Sequence, residues 1–272
     1  MVGKEDLPNA IALNSSAVNG ARLMGPVIAG LLVGLAGEGV CFLINGLSFL
    51  AVIGGLFSMK ISSSRQGAMT ISIFEYLKEG ILYGVKTPLI KRTLLFLSLL
   101  SLVGLPYSVL MPVFSKTILN GGPGTFGFLL GGAGLGALLG TLTLARIGSR
   151  DFEKTIFRVA IGTGISFIMF SFSKVILISF FILVATGFCM MSQLAATNTL
   201  LQTVVPDKLR GRLMSFYGFV LLGVAPFGSL LEGFFADKFG APLTVGLSGA
   251  LIIGGAFLYG RKEYLPPALK PS

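Results

Sequence analysis

Long apolar runs, separated by short polar connections, make up most of this chain. A helix needs about 20 residues, at a rise of 1.5 Å per residue, to cross the hydrocarbon core of a bilayer. Several connections contain only a few residues, which predicts antiparallel helical hairpins. The pattern therefore predicts an all-α fold, a polytopic membrane bundle of about eight transmembrane helices. The predicted spans are approximately residues 10–36, 39–58, 94–117, 125–146, 156–173, 175–204, 212–236 and 242–260.

The composition supports a membrane protein. Hydrophobic residues make up 53% of the chain and charged residues only 12%, whereas soluble domains carry about 25% charged residues. The net charge of +10 could indicate a nucleic-acid partner. The basic residues form short clusters between apolar runs and no continuous patch, so nucleic acid is excluded as a partner.

The basic residues are distributed unequally between alternate connections. One set, together with both terminal tails, holds 17 of the 21 Lys and Arg residues; the opposite set holds 3, and Arg22 lies within the first span. Lys and Arg concentrate on the cytoplasmic side of membrane proteins. The distribution predicts a multi-pass protein of the inner, cytoplasmic membrane with both termini in the cytoplasm.

The residues required for most catalysis are missing from the sequence. The chain has no histidine, which removes the commonest general base and metal ligand. No nucleophile in a span has a neighbouring base, and no cluster of metal ligands is visible. Cys41 and Cys189 lie in or beside apolar runs and are predicted to be packed free thiols. We therefore predict that the chain is not an enzyme and has no cofactor or metal.

A glycine-rich segment in the fourth span has two possible interpretations. Residues 132–137 match the Gly-x-Gly-x-x-Ala form of a dinucleotide-binding loop. Such a loop follows a strand, and this segment lies within an uncharged apolar run. Gly132, Gly136 and Gly140 recur every four residues, which places them on one helix face. The spacing favours close helix packing over cofactor binding.

Polar residues within the spans are candidates for a water-accessible cavity. Uncharged amides in a membrane helix also bond to neighbouring helices, so a purely structural role remains open. Pro106 and Pro112 are predicted to interrupt the third span and free backbone groups. Among ionisable residues, Arg22 is expected to face the bundle interior or the inner surface, and Glu232 to be wetted near the outer boundary. The candidate cavity residues are Tyr107, Met111, Gln193, Asn198 and Gln202.

The first span contains small residues and a Gly-Pro pair, which predicts that it packs against other helices. A related pattern recurs about 200 residues later: Pro8 and Pro26 correspond to Pro206 and Pro226. Pro26 and Pro226 are each followed, within six residues, by small residues and a Leu-Leu pair. The repetition predicts two related halves, of which the first is incomplete.

Two motifs resemble those of the major facilitator superfamily of secondary transporters. The first span is similar to the glycine-rich fifth helix of drug:proton antiporters, with alanine at three glycine positions. The run from Val205 to Ser215 reads Val-Pro-Asp-x-x-Arg-Gly-Arg-x-Met-Ser. This run resembles sequences of the branch that exports enterobactin and macrolides. The antiporter-type motif comprises Ala21, Arg22, Gly25, Pro26, Ala29 and Gly30, preceded by Ala12, and the cytoplasmic loop motif comprises Asp207, Arg210, Gly211 and Arg212.

The resemblance implies a division of the chain. Residues 1–58 would be the end of the N-terminal half, 59–93 a cytoplasmic linker, 94–260 the six-helix C-terminal half and 261–272 a cytoplasmic tail. The linker contains an amphipathic pattern, which fits either a hinge between bundles or a plain interfacial connection. On this alignment the equivalents of the superfamily's first four helices are missing. Spans 94–117 and 175–204 would line the substrate cavity.

The resemblance also implies a function. We expect proton-coupled efflux of a small organic molecule, such as a drug or siderophore, by alternating access. The implied partners are the lipid bilayer, the small-molecule substrate and protons as coupling ion. The alternative is a membrane interaction or structural protein, or a non-functional transporter fragment, without a transport cycle.

Overall fold

The computed structural model of the protein describes residues 36–58, 82–147 and 151–260, together with positions 25, 28 and 32. These parts of the chain are helical and contain no strand. They include seven helical spans that are long and apolar enough to cross a membrane. The predicted all-α polytopic bundle is therefore confirmed. The helices are α1 (Glu38–Ser58), α2 (Pro88–Leu99), α3 (Tyr107–Val113), α4 (Pro123–Ile147), α5 (Phe152–Phe172), α6 (Ile176–Val204), α7 (Asp207–Gly223), α8 (Ala225–Phe239) and α9 (Ala241–Gly260).

Most predicted span boundaries agree with the structure to within a few residues. The largest differences occur where polar residues lie inside a helix. The span predicted to begin at residue 94 begins at Pro88, a residue well suited to a first helical turn because it needs no backbone donor there. The span predicted at 212–236 consists of α7 and α8, which meet at Val224. Most of the first predicted span and of the 59–93 connection lies outside the described residues.

One span, Pro88–Ile118, is helical except for a turn at residues 105 and 106 and is irregular in its middle. Here α2 leads into a π-helical segment, Leu100–Gly104, and α3 leads into a second, Phe114–Ile118. Pro106 precedes α3 and Pro112 lies inside it. Proline has no N–H to donate, so each one leaves a carbonyl of the preceding turn without its usual partner. The predicted interruption of this span is confirmed.

Helices α4 and α6 pack with their backbones in close contact. A methyl group on Gly136 would overlap the Val184 carbonyl, and one on Gly187 would overlap the carbonyl of Ala133. Gly132 and Gly140 continue the row on α4, against Phe180 and Phe188. The glycine-rich segment is therefore a helix-packing surface, as its four-residue spacing predicted.

Helix α5 lies between α6 and α9. Glycine again permits the closest approach, because Gly164 of α5 and Gly249 of α9 each face the other's carbonyl oxygen. A Cβ atom added to either residue would lie only 2.6 Å from that oxygen. Side chains fill the remaining space in three buried clusters. The central cluster includes Leu100, Phe114, Leu129, Phe167, Leu183 and Val245; a second includes Ile90, Leu201 and Leu213; a third includes Ile156, Ala196 and Ala256.

Helix α1 contrasts with this bundle. No described side chain of α1 is buried, although its sequence is as apolar as that of the packed spans. Gly25, in the predicted antiporter-type motif, is helical, and no described atom lies within 4 Å of the position of an added Cβ. The close helix contact predicted for Gly25 stays a prediction. Ala21, Arg22, Pro26, Ala29 and Gly30 lie outside the described residues.

Candidate functional site

An open groove of about 380 Å³, called the cavity below, lies between α4, α6 and α7. Its walls are mainly apolar, with one amide, one phenol and one hydroxyl group. No charged side chain is among its lining residues. The cavity is lined by Thr141, Met191, Leu194, Ala195, Asn198, Tyr217 and Leu221.

The polar groups of the cavity are held by the helices that carry them. Asn198 lies in α6, and its Oδ1 accepts a hydrogen bond of 2.5 Å from Nε2 of Gln202, one turn further on. Tyr217 of α7 is largely buried and interacts with Asn198 from the facing wall. The Thr141 hydroxyl donates to the Ala137 carbonyl of its own helix at 2.9 Å. Three helices thus each present one hydrogen-bonding side chain to the same space.

Of the five residues predicted to line a cavity, only Asn198 lines this one. Met111 is fully buried in the central cluster, and the Tyr107 ring packs against Phe167 with 5.3 Å between ring centroids. Gln193 is also buried, whereas Gln202 is exposed and contributes through its bond to Asn198. The two candidates on the Pro88–Ile118 span, Tyr107 and Met111, thus pack in the central cluster, and among the candidates on α6 only Asn198 reaches the cavity.

Gln193 has an unusual environment. Its side chain is only 1% exposed, and its Oε1 has no hydrogen-bond partner among the described residues. Buried polar atoms of this kind are uncommon, because leaving one unpaired costs about 1–3 kcal/mol. Gln193 therefore has unused hydrogen-bonding capacity inside the bundle.

Sequence reasoning missed Tyr217 and Thr141. Tyr217 is two residues beyond the Val205–Ser215 run, and its polar ring within an apolar span was the available signal. Thr141 follows the glycine row of α4 directly. Neither could be assigned to a cavity without knowing which faces of α4, α6 and α7 come together.

The residues of the cytoplasmic loop motif lie in the first turns of α7, which Val205 and Pro206 connect to α6. Nε of Arg210 donates a 3.0 Å hydrogen bond to the carbonyl oxygen of Gln202, in the last turn of α6. Carbonyls in a last turn have no donor within their own helix and carry partial negative charge. Arg210 thus caps α6 close to the cavity. Of the other motif residues, Gly211 is exposed and Arg212 is half-buried. Asp207 is the first residue of α7, and its side chain lies outside the described part of the chain.

A second contact positions α7 near the cavity. The buried Ser101 hydroxyl, in the first π-helical segment, donates to the carbonyl of Leu221 at 2.7 Å. Leu221 lines the cavity and lies in the last turn of α7. The irregular part of the Pro88–Ile118 span is therefore bonded directly to a cavity wall.

An ionic and aromatic group ties three helices together elsewhere in the bundle. Arg92 of α2 pairs with Glu153 of α5. The Arg92 guanidinium also lies 4.7 Å from the ring centroid of Tyr259, at the end of α9. Tyr259 stacks on Phe96 at 5.2 Å. The sequence indicated only a basic cluster here and did not predict the pairing.

Glu232 of α8 is buried, with 3% of its surface exposed. Its Oε1 accepts a hydrogen bond of 3.1 Å from the Ser248 hydroxyl of α9, and its Oε2 has no hydrogen-bond partner among the described residues. The expectation that Glu232 is wetted at a boundary is therefore wrong. The side chain points between helices, and the single sequence could not reveal which face of α8 is covered.

The described residues contain no group of three or more His, Cys, Asp or Glu side chains that could hold a metal ion. No disulfide joins Cys41 to Cys189, and each residue is half-buried.

Two curated relatives align with nearly the whole chain. The multidrug efflux pump Tap of Mycolicibacterium fortuitum is 24% identical over 97% of this chain and 66% of its own length. The staphyloferrin A transporter of Staphylococcus aureus is 27% identical over 88% of this chain and 60% of its own length. The chain therefore spans less than two thirds of the length of either relative.

A sequence profile described as transmembrane secretion effector matches residues 1–268. The match includes every described helix and both motifs found in the sequence, and it agrees with a polytopic bundle of apolar helices. The chain therefore belongs to the transmembrane secretion effector family of the major facilitator superfamily.

Proposed function

We propose that the chain works in a secondary transporter that exports a small organic molecule in exchange for protons. The observation that carries the proposal is the cavity between α4, α6 and α7. Polar side chains are costly within a membrane and usually mark a substrate or ion pathway. Here an amide, a phenol and a hydroxyl group converge on one space within an apolar bundle.

The lining of the cavity suggests the class of substrate. Its volume lies within the range of about 300–1,000 Å³ that is usual for small-molecule sites. Apolar walls with three hydrogen-bonding groups suit a largely apolar organic compound. Because the lining has no cationic side chain to pair with carboxylates, we favour a drug-like compound over a carboxylate-rich siderophore. The name of one relative, a multidrug efflux pump, supports this choice.

The packing suggests which parts would move together. Helices α4 and α6 are in backbone contact, as are α5 and α9, so each pair would move as a unit. The Pro88–Ile118 span, with its two π-helical segments, would adjust between conformations. In the proposed cycle, residues 88–260 rock against the other half around the cavity, and the connection that precedes Pro88 serves as the linker.

The proposed roles of the candidate residues follow from their positions. Asn198 and Tyr217 would bind the substrate, with Gln202 orienting the Asn198 amide. Gln193 and Met111 are buried and Tyr107 is half-buried, so these three residues would meet substrate only in another conformation. Arg210 would hold the end of α6, together with Asp207, Gly211 and Arg212 of the loop motif. The antiporter-type motif around Gly25 would supply a close helix contact that limits leakage.

Efflux from cells that produce the protein tests the proposal. The probe is Nile red, an uncharged lipophilic dye, and staphyloferrin A is the comparison substrate. Asn198→Ala removes one hydrogen bond worth about 0.5–1.5 kcal/mol, so we expect about two- to tenfold slower Nile red efflux. Thr199→Ala is the matched control, because the Thr199 hydroxyl donates to the Ala195 carbonyl of its own helix and does not line the cavity.

The two probes separate the possible outcomes. Nile red efflux that depends on the proton gradient and on Asn198 supports the proposal. Efflux of staphyloferrin A alone would reassign the substrate class. Folded protein in the membrane without flux of either probe would contradict a transport cycle.

A further inference from the structure

The carboxyl group of Glu232 lies in a nearly closed site between helices. It faces α9, from which the buried Ser248 donates its one hydrogen bond. Close to it, Gly228 of α8 is pressed against the Leu102 carbonyl and the Pro106 ring. Helix α8 thus directs the Glu232 side chain toward α9 and Gly228 toward the irregular part of the Pro88–Ile118 span.

Among the described residues, the elements packed against α8 place no cation beside this carboxyl. The first π-helical segment has no titratable side chain, α3 has Tyr107, and α9 has Tyr259, about three turns from Ser248. Tyr217 and the charged residues of α7 precede Glu232 in the same span by 15 residues or more. On α8 itself, Asp237 and Lys238 are exposed. No described ion pair includes Glu232.

A carboxylate in this position would lack compensation for its charge. A charge removed from water needs an opposite charge or several hydrogen bonds, and Glu232 has one hydroxyl donor. Binding a proton removes the charge. The proton would lie on Oε2, which has no partner, while Oε1 continues to accept the Ser248 hydrogen bond.

Glu232 lies near one end of α8 and near two irregular segments. It lies seven residues before the end of α8 at Phe239, or about 10 Å along the helix. The α7–α8 junction at Val224 and the π-helical segment beside Gly228 are both irregular. A change in their packing would move α8 relative to α9 and open the space around the carboxyl to water.

We propose that Glu232 is a proton-binding site of the transporter and that Ser248 is its positioning residue. In the closed packing seen here the O–H bond on Oε2 is formed. When α8 moves and water enters, that bond breaks and the proton passes to water on the side then open. This inference rests on the proposed function, for which it supplies the coupling site in the C-terminal half.

Infrared spectroscopy of the whole chain in lipid tests the site without requiring transport. At pH 7 the native protein should show a carboxylic acid C=O band that is absent in Glu232→Gln. Asp237→Asn is the matched control, because Asp237 is exposed on the same helix and should not contribute to the band. A native spectrum identical to that of Glu232→Gln would overturn the proposal. Because glutamine is close to the neutral acid in shape, Glu232→Gln should fold normally.

The role of Ser248 has its own spectroscopic readout. Loss of its hydrogen bond to Oε1 should shift the Glu232 band to higher frequency in Ser248→Ala, and Ser248→Thr should restore the native position. An unshifted band in Ser248→Ala would overturn the positioning role.

Transport assays separate this inference from the proposed function. Glu232→Gln should abolish accumulation driven by a proton gradient while retaining exchange of labelled for unlabelled Nile red. Loss of both activities while the infrared band is present in the native protein would count against the transport cycle and not against the proton site. Unchanged gradient-driven transport in Glu232→Gln would overturn coupling through this residue.

Discussion

Gly136 of α4 lies directly against the carbonyl oxygen of Val184 in α6, with no room for a methyl group between the two backbones. Gly187 and Ala133 make the reciprocal contact one turn away. The same two helices supply Thr141 and Asn198 to the cavity. The separation of the polar groups on these two walls therefore depends on the backbone contacts that Gly136 and Gly187 allow.

Replacing Gly136 with alanine should destabilise the bundle. The added methyl group would force α4 and α6 apart, and overpacking of this kind costs about 1–3 kcal/mol. Thermal unfolding in detergent, followed by circular dichroism, measures the change. Gly233→Ala in α8 is the matched control, since nothing lies within 4 Å of its added Cβ. Equal stability of the two variants would show that the contact does not hold the helices together.

Replacing Arg92 should also lower stability. Arg92→Ala removes the pair with Glu153 and the contact with the Tyr259 ring. We expect a loss of roughly 1–2 kcal/mol, and little recovery in Arg92→Lys, because lysine lacks the planar group that stacks on an aromatic ring. The comparison is Lys154→Ala, which removes an exposed pair with Asp151 worth about 0–1 kcal/mol. A native unfolding temperature for Arg92→Ala would contradict this role.

Replacing Tyr217 with phenylalanine tests the second polar wall of the cavity. The ring and its packing remain while the hydroxyl is lost, so the half-saturating concentration of Nile red should rise about two- to tenfold. The maximal efflux rate should change less. Tyr83→Phe, on a residue outside the cavity lining, serves as the control. A concentration dependence equal to that of the native protein would remove Tyr217 from the site.

Replacing Pro106 with alanine should make the irregular span more regular. The new N–H can donate to a carbonyl of the preceding turn, which proline cannot do. Amide hydrogen exchange in Leu100–Gly104 should slow, and transport should slow with it. Pro88→Ala is the control, because a proline in the first turn replaces no helical hydrogen bond. Faster or unchanged exchange in Pro106→Ala would argue against a hinge here.

The apolar runs were sufficient to predict the helices of the bundle. Their length and spacing predicted α4, α5, α6 and α9 almost to their ends, and the break at 173–175 is present. Four-residue glycine spacing also predicted the α4 packing surface. These features are local, since they depend on period and composition along one segment.

The candidate site was harder to predict because it depends on which helix faces meet. Asn198 was identified as a polar residue in a span, yet Tyr217 and Thr141 become its neighbours only through the packing of α4, α6 and α7. Met111 was proposed for a cavity and lies in the central cluster instead. Glu232 was placed at a wetted boundary because nothing in its own helix showed that Ser248 of α9 covers it.

Substrate-induced proton movement in inside-out membrane vesicles tests proton-coupled export most directly. Respiration acidifies the vesicle interior, and adding Nile red should release protons from vesicles that contain the protein. Asn198→Ala should weaken the release about two- to tenfold, and Thr199→Ala should leave it unchanged. Two results would contradict proton-coupled export through this cavity. One is that vesicles without the protein release as many protons as vesicles with it; the other is that Asn198→Ala vesicles release as many as native ones.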